Sequence, residues 1–288
     1  MIQARNKLSQ EELSEAKKLI NCCQAYDETY RDPYLSNMLN FDTNMPAFFL
    51  YYEKGELVGL LTVYADDPDV ELAILVHPNH RCQGIARALY RSFEKETASY
   101  PIESVTFQTE RIFLERHPDF ASNWGLVEDE ETETWLGKDR RPYPLANVSN
   151  LEVLLADRSY QDQISQLKFQ AFSEDHESRE VVDRYVAKAL KDPESLLYIL
   201  LKNGQVIGTC TVDLSSNTNY LFGLAIAELE RGKGYGTYLA KSLINQLIEQ
   251  NDKAFQIAVE DSNLGAKRLY EKIGFVKQTQ VVYLKAKV

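Results

Sequence analysis

The sequence predicts an α/β chain made of two copies of one domain, and three observations carry that expectation. An apolar run, Leu221 to Ala227, is long enough for one buried strand. It leads through three alternate glycines, Gly232, Gly234 and Gly236, into an amphipathic helix. Apolar runs are twice joined by a two-residue turn signal, at Lys54-Gly55 and at Asn203-Gly204. Most decisive, one ordered set of segments occurs twice at a nearly constant spacing.

The echoes are specific. Gly55-Glu56-Leu57-Val58-Gly59-Leu60-Leu61-Thr62-Val63 is matched by Gly204-Gln205-Val206-Ile207-Gly208-Thr209-Cys210-Thr211-Val212, 149 residues later. Arg81-Cys82-Gln83-Gly84-Ile85-Ala86 is matched by Arg231-Gly232-Lys233-Gly234-Tyr235-Gly236, 150 residues later. Gly125-Leu126 is matched by Gly274-Phe275, again 149 residues later. Residues 1–140 are read as the first copy, 141–150 as a linker and 151–288 as the second copy. The linker reading rests on the polar, proline-bearing stretch from Lys138 to Ser149, which has no periodicity.

In chain order, Ser9 to Gln24 forms a helix with Leu13, Ala16, Leu19, Ile20 and Cys23 on its apolar face. Phe48 to Tyr52 opens the first hairpin, and Val70 to Val76 is the strand that enters the first glycine turn. The acidic run Glu128 to Glu133 reads as a solvated strand end or loop. The second copy opens with a strand at Leu151 to Ala156 and a helix at Ile164 to Phe172; Leu196 to Lys202 is its first hairpin strand. Beyond its glycine turn, Leu239, Leu243, Ile244, Leu247 and Ile248 mark the buried side of a helix. A strand at Phe255 to Val259 comes next, then capping residues Asp261 and Ser262. The last helix carries Ala266, Leu269, Tyr270 and Ile273 at helical spacing, and Gly274 stops it in the left-handed conformation.

The bulk properties narrow the function classes. With 288 residues the chain can bury a sizeable core, and no stretch approaches the ~20 apolar residues needed to span a bilayer. Met1 to Ile20 lacks the apolar centre of a secretory signal. The cysteines Cys22, Cys23, Cys82 and Cys210 show neither disulfide-scaffold density nor zinc spacing, so a reducing, cytoplasmic setting is expected. A net charge of −11 opposes nucleic acid as a partner, because phosphate binding needs a basic face. His77 and His80 have no third ligand in sight, and no metal is expected.

A glycine turn between a strand and a helix N-terminus exposes several backbone N–H groups to an anion. A Walker loop would place Ser or Thr after Lys233, where Gly234 stands, and the dinucleotide fingerprint has a different glycine spacing. The pattern left, Arg-x-x-Gly-x-Gly at Arg231 to Gly236, resembles the pyrophosphate loop of the GNAT superfamily of acyl-CoA N-acyltransferases. Asn-x-x-Ala-x-x-x-Tyr-x-x-x-Gly-Phe, Asn263 to Phe275, is similar to a second signature block of that superfamily. The resemblance implies two tandem domains, each a mixed, mostly antiparallel central sheet flanked by helices. It implies acetyl-CoA as donor and a small-molecule or peptide amine as acceptor, with no nucleic acid or membrane partner; homodimerisation stays open.

By the same resemblance the backbones of Leu224, Ala225 and Ile226 would meet the pantetheine arm. The loop from Arg231 through Gly232, Lys233, Gly234, Tyr235 and Gly236 to Thr237 would grip the diphosphate, with the charges of Arg231 and Lys233 assisting. Tyr270 is the expected general acid for the leaving thiolate, with a core tyrosine as the alternative. Asn263 would hydrogen-bond the pantetheine or a water, or else cap its helix. For the base the sequence offers Glu260, through water, or Glu71 in the first copy, whose place 150 residues on is Leu221. The first copy is degenerate: Cys82 replaces one glycine, Ala86 another, Ala121 and Leu114 stand for the tyrosine and asparagine, and Pro118 breaks the helix. The leading function is therefore amine acetylation through the second copy; the competing one is an acyl-CoA-binding regulatory protein without turnover. An aminoacyl transferase using charged transfer RNA is opposed by the net charge.

Overall fold

A computed structural model describes residues 1–146, 148–172 and 178–287; position 147 of the expected linker and position 288 of the second copy lie outside these. Contacts divide the chain into two compact units, Met1–Trp135 with Gln278–Val288, and Leu136–Lys277. Each is α/β, with a mostly antiparallel sheet flanked by helices.

The first unit begins with β1 (Ile2–Arg5) and α1 (Gln10–Asp27). Ser9 starts α1 with a reciprocal cap: its hydroxyl accepts from the Glu12 N–H at 3.2 Å, and the Glu12 carboxylate accepts from the Ser9 N–H at 2.8 Å. β2 (Phe48–Glu53) and β3 (Glu56–Tyr64) form the expected hairpin; Lys54 and Gly55 turn it with φ of +50° and +88°. β4 (Asp69–Val76) pairs antiparallel with β3, then the chain enters α2 (Ile85–Thr97) and β5 (Ser104–Glu110), which lies parallel to β4. Pro118 interrupts the helical segment after β5, leaving two short helices, α3 (Arg111–Arg116) and α4 (Phe120–Trp124). β6 (Leu126–Lys138) contains the acidic run Glu128 to Glu133 in its interior, so that run is neither a strand end nor a loop. Leu89 and Phe93 of α2 pack on one sheet face with Leu61 and Leu72; Ala16 and Ile20 of α1 pack on the other with Phe48 and Leu60.

The second unit repeats the plan. β7 (Leu151–Leu155), α5 (Gln161–Phe172) and a further helix not expected from the sequence, α6 (Arg179–Ala189), precede the hairpin of β8 (Ser195–Lys202) and β9 (Gln205–Asp213). Next in the chain are β10 (Asn219–Ile226), α7 (Tyr235–Gln250), β11 (Phe255–Glu260) and α8 (Leu264–Lys272). Of the capping residues expected for α8, the structure uses the alternative, Asn263. Asn263, not Asp261 or Ser262, accepts the Ala266 N–H at 3.0 Å, and the Asp261 carboxylate instead pairs with Lys267 at 2.5 Å. α7 buries Leu239, Leu243, Ile244 and Leu247 against one face of the sheet, with Cys210, Leu221 and Ile257. α5 packs against β9 and β10, and α6 against α5 and β8.

The last strand, β12 (Val276–Ala286), shows what the sequence order conceals. From Gln278 onward it belongs to the first unit, where Val281 to Lys285 pair antiparallel with Glu110 to Thr106 of β5. Conversely, the end of β6, from Leu136, belongs to the second unit, and Leu136 sits in its core. Val281, Val282 and Leu284 are fully buried. Among the described residues no helix is long and apolar enough to cross a membrane.

Leu284→Ala is expected to cost about 2–4 kcal/mol. It should speed amide exchange at Thr106 to Glu110, although position 284 lies at the far end of the chain. Unchanged exchange on β5 would show that β12 is not integral to the first unit.

Candidate active site

Strand β10 runs parallel to β11 only over Asn219↔Phe255, Tyr220↔Gln256 and Leu221↔Ile257. Among the described residues, that edge of β10 has no ladder partner past Leu221. On the other edge a bulge interrupts the pairing with β9: Phe222 faces Thr211, but the next partners are Ala225 and Thr209. Gly223, inside the bulge, has φ +58°. A bulge adds one residue, bends its strand and strengthens the local twist. Here it turns β10 away from β11 at the point where the parallel ladder stops, so the backbones of Leu224, Ala225 and Ile226 border the opening.

The bulge also explains why the repeat spacing drifts. The β3–β4 register places Tyr64 opposite Glu71, and the β9–β10 register places Asp213 opposite Tyr220. The structural counterpart of Glu71 is therefore Tyr220, not Leu221. The spacing is 149 residues before the bulge and 150 from there through the glycine turn, because the first unit's β4 has no such extra residue; it is 149 again at Gly274.

Beyond β10 lies the glycine turn. Gly232 and Gly234 have φ of +74° and +85°, a region that side-chain-bearing residues rarely enter. The Tyr238 N–H is the first to find a helical acceptor, the Gly234 carbonyl at 3.0 Å. Among the described residues, the N–H groups from Gly232 to Thr237, Tyr235 and Gly236 included, have no acceptor. They are clustered at the N-terminus of a 16-residue helix, the arrangement that binds phosphate. A Cβ on Gly236 would stand 3.0 Å from Leu269 Cδ1, so α7 approaches α8 closely there. The two cationic side chains of the loop also bond locally. Arg231 Nε donates to the Ile226 carbonyl at 3.0 Å. Lys233 Nζ donates to the Leu229 carbonyl at 2.7 Å and pairs with Glu230 at 3.1 Å. The loop therefore presents backbone to an anion.

Tyr270, on α8, is 6% exposed, with Phe275 at 6.0 Å between ring centroids. Burial pushes its pKa well above the usual phenol value, so it is protonated throughout the neutral range. It is a core residue whose hydroxyl keeps its proton. Asn263 caps α8, which commits its side-chain oxygen. Glu260, at the end of β11, is exposed and accepts from the Ser262 hydroxyl at 3.4 Å.

One buried group is not apparent from the sequence motifs. Lys168 on α5 is 5% exposed, and its Nζ donates to Thr211 Oγ1 at 3.4 Å. Phe172 and Tyr185 put their rings 5.8 and 5.5 Å from it. A Cβ on Gly223 would lie 2.7 Å from that amine. Burial lowers its pKa to about 8, only partly opposed by nearby Cys210. The sequence does hold a signal for it: Lys168 falls four residues after Ile164, on the helix's apolar side.

The first unit keeps part of this machinery. Its parallel ladder also ends early, at Leu72↔Phe107, and Cys82 and Gly84 hold φ of +60° and +81°. Arg81 Nε donates to the Val76 carbonyl at 3.0 Å, matching Arg231, while its terminal nitrogens clasp Asp27 at 2.7 and 2.6 Å. Glu71 accepts from Gln108 Nε2; burial, reinforced by Glu133 and Asp66 and opposed by Arg31, raises its pKa to about 7.

The sequence profile of the Acetyltransferase (GNAT) family matches residues 13–137 and again residues 161–275. The chain belongs to that family. It is an acyltransferase of tandem GNAT architecture. A mycothiol acetyltransferase of Clavibacter sepedonicus is 25% identical over 230 residues, covering 76% of this chain and 73% of that protein. A GCN5-related N-acetyltransferase from Sphaerobacter thermophilus superposes with a TM-score of 0.70 at 16% identity, covering 99% of this chain and 94% of the other. A tandem GNAT protein from the clavulanic acid biosynthesis pathway gives 0.70 at 15% identity, covering 100% and 99%. These two show the shared fold.

Glu71 gives a stability test. A carboxyl with a raised folded pKa binds its proton more tightly folded than unfolded, so its contribution is fullest below about pH 4.5. That contribution is lost as pH rises toward about 7. Glu71→Gln is expected to stabilise the protein by roughly 1–3 kcal/mol at pH 8 and to change little at pH 4.5. Denaturant unfolding at both pH values measures it; an equal effect at both would contradict the shifted carboxyl.

Proposed function

We propose that this chain is an acetyl-CoA-dependent N-acetyltransferase that acetylates a primary amine by direct attack, mainly through the second copy, residues 151–288. The supporting observation is the coincidence of an opened β10–β11 edge with unpaired N–H groups at Gly232 to Thr237. Those groups fit a diphosphate, and the opened edge fits an extended arm carrying amide groups. When bound, the donor supplies an acyl thioester and a thiolate leaving group.

The residues then have separable tasks. The loop N–H groups hold the diphosphate, and Leu224, Ala225 and Ile226 align the arm along β10. The Tyr270 hydroxyl delivers a proton to the departing sulfur. Because burial raises its pKa, it donates less readily than a free phenol, yet it does not ionise below about pH 10. Glu260 is the base offered by the sequence, and its exposure restricts it to working through water. The amine acceptor is a small molecule or peptide.

A second reading places turnover in the first unit, and Glu71 favours it: a carboxyl titrating at about 7, close to where that unit's ladder ends. The binding-only alternative is the third reading.

Calorimetry and steady-state release of CoA across an amine panel separate them. Gly234→Val is expected to weaken acetyl-CoA binding about tenfold or more, which is about 1.4 kcal/mol, and to lower the melting point, because a β-branched residue strains a backbone held at φ +85°. Tyr270→Phe should lower kcat on the order of 10²-fold while leaving acetyl-CoA affinity unchanged. If instead Glu71→Gln abolishes turnover and Tyr270→Phe does nothing, the first unit is the catalytic one. Binding without release of CoA for any amine would make the protein a sensor.

A further inference from the structure

We propose that the Lys168 amine, buried beneath the bulge of β10, is the base that takes the proton from the acceptor's ammonium group. This rests on the second-copy reading above and puts a buried base in place of the exposed Glu260.

Burial of a lysine is costly. Lysines almost never stay fully buried unless paired, since their long stems normally carry the charge to water. Lys168 does neither. Among the described residues it has no carboxylate partner, and its one hydrogen bond is a long 3.4 Å contact to Thr211 Oγ1. A purely structural role at this place would be filled better by methionine or leucine. The amine is also aimed at a specific point: Gly223 lies so close that any Cβ there would fall 2.7 Å from Nζ. Gly223 is where the bulge turns β10 from β11, just before the backbones expected to carry the thioester. Lys168 thus sits on α5 directly against the bulge at which the opening begins.

The surroundings keep the amine available. Among the described residues, Tyr185 from α6 and Cys210 from β9 are the titratable groups near it, and burial holds the Cys210 thiol protonated, with its pKa raised to about 12. β10 presents the Gly223 backbone. The charges at the start of α5 and α6 are engaged with each other, Arg179 pairing with Asp162 at 2.8 Å and with Asp183 at 2.9 Å. With a pKa of about 8, roughly a quarter of Lys168 is neutral at pH 7.5. Glu260, by contrast, is exposed.

The proton balance closes. Neutral Lys168 accepts one proton from the acceptor's –NH3+, giving a neutral amine. The nitrogen lone pair forms the C–N bond, the C–S bond breaks with its electron pair on sulfur, and Tyr270 protonates the thiolate. The nitrogen's second proton restores Tyr270, and Lys168 returns its proton to water. The sum is amide, free thiol and one released proton.

The test uses the full chain with an acceptor whose own amine titrates near 10, so that its limb is separate. Wild-type kcat/KM is expected to rise with pH through about 8. Lys168→Met should lose that limb and at least 100-fold in kcat, while acetyl-CoA affinity stays within about threefold. Lys168→Arg, which cannot deprotonate, should not restore the rate. Turnover that survives Lys168→Met within threefold overturns the base, as does rescue by arginine, which would mean that only a positive charge is needed. Should the variants fail to fold, a wild-type profile without a limb between pH 7 and 9 overturns it as well. A wild type that binds acetyl-CoA but releases no CoA with any amine overturns the proposed function, and this base with it.

Discussion

The early end of the parallel ladder between β10 and β11 is the constraint on which the second unit depends. Two adjacent parallel strands would ordinarily continue side by side, since an uncovered row of N–H and C=O groups is costly wherever water is excluded. Here pairing stops at Leu221↔Ile257, and the bulge at Gly223 bends β10 away. That single departure opens an edge, puts Leu224 to Ile226 along it and delivers the chain into the glycine turn. The turn in turn leaves its own N–H groups without acceptors. Backbone polarity left open in two consecutive places is poorly explained by folding and well explained by a ligand carrying phosphates and amides.

The two units show what duplication kept and what it changed. The left-handed turn survives in both, even with Cys82 where the second unit has Gly232, and so does the arginine whose Nε donates to the carbonyl ending the strand before the turn, Arg81 or Arg231. The bulge is present only in the second unit. The first instead has a carboxyl of raised pKa, Glu71, and its last helix is cut in two by Pro118. Exchange of terminal strands gives a physical reason why neither half was lost. β12 completes the sheet of the first unit, and the end of β6 enters the core of the second.

Local chemistry was the readable part. The hairpin turns at Lys54-Gly55 and Asn203-Gly204, and the left-handed stops at Gly125 and Gly274, each depend on one or two residues with few conformational options. The repeat and the glycine turn were legible for the same reason. The features that escaped depend on long-range placement. Pairing of β12 with β5 joins residues more than 150 positions apart, and nothing in the sequence of Val281 to Lys285 names its partner. The one-residue drift in spacing was visible, but only strand register assigned it to the bulge and moved the counterpart of Glu71 to Tyr220. Arg231 and Lys233 were read as anion ligands by charge; the fold adds a local bond for each, Arg231 Nε to the Ile226 carbonyl and Lys233 Nζ to the Leu229 carbonyl. Lys168 was hidden inside a helix legible only by its apolar stripe.

The central claim is that the opened strand and the glycine turn of the second unit together receive the donor. Backbone hydrogen exchange with and without acetyl-CoA tests this directly, residue by residue. Protection confined to Phe222–Ile226 and Gly232–Thr237 is the predicted result. Unchanged exchange there, with or without new protection at Cys82–Arg87, would contradict it.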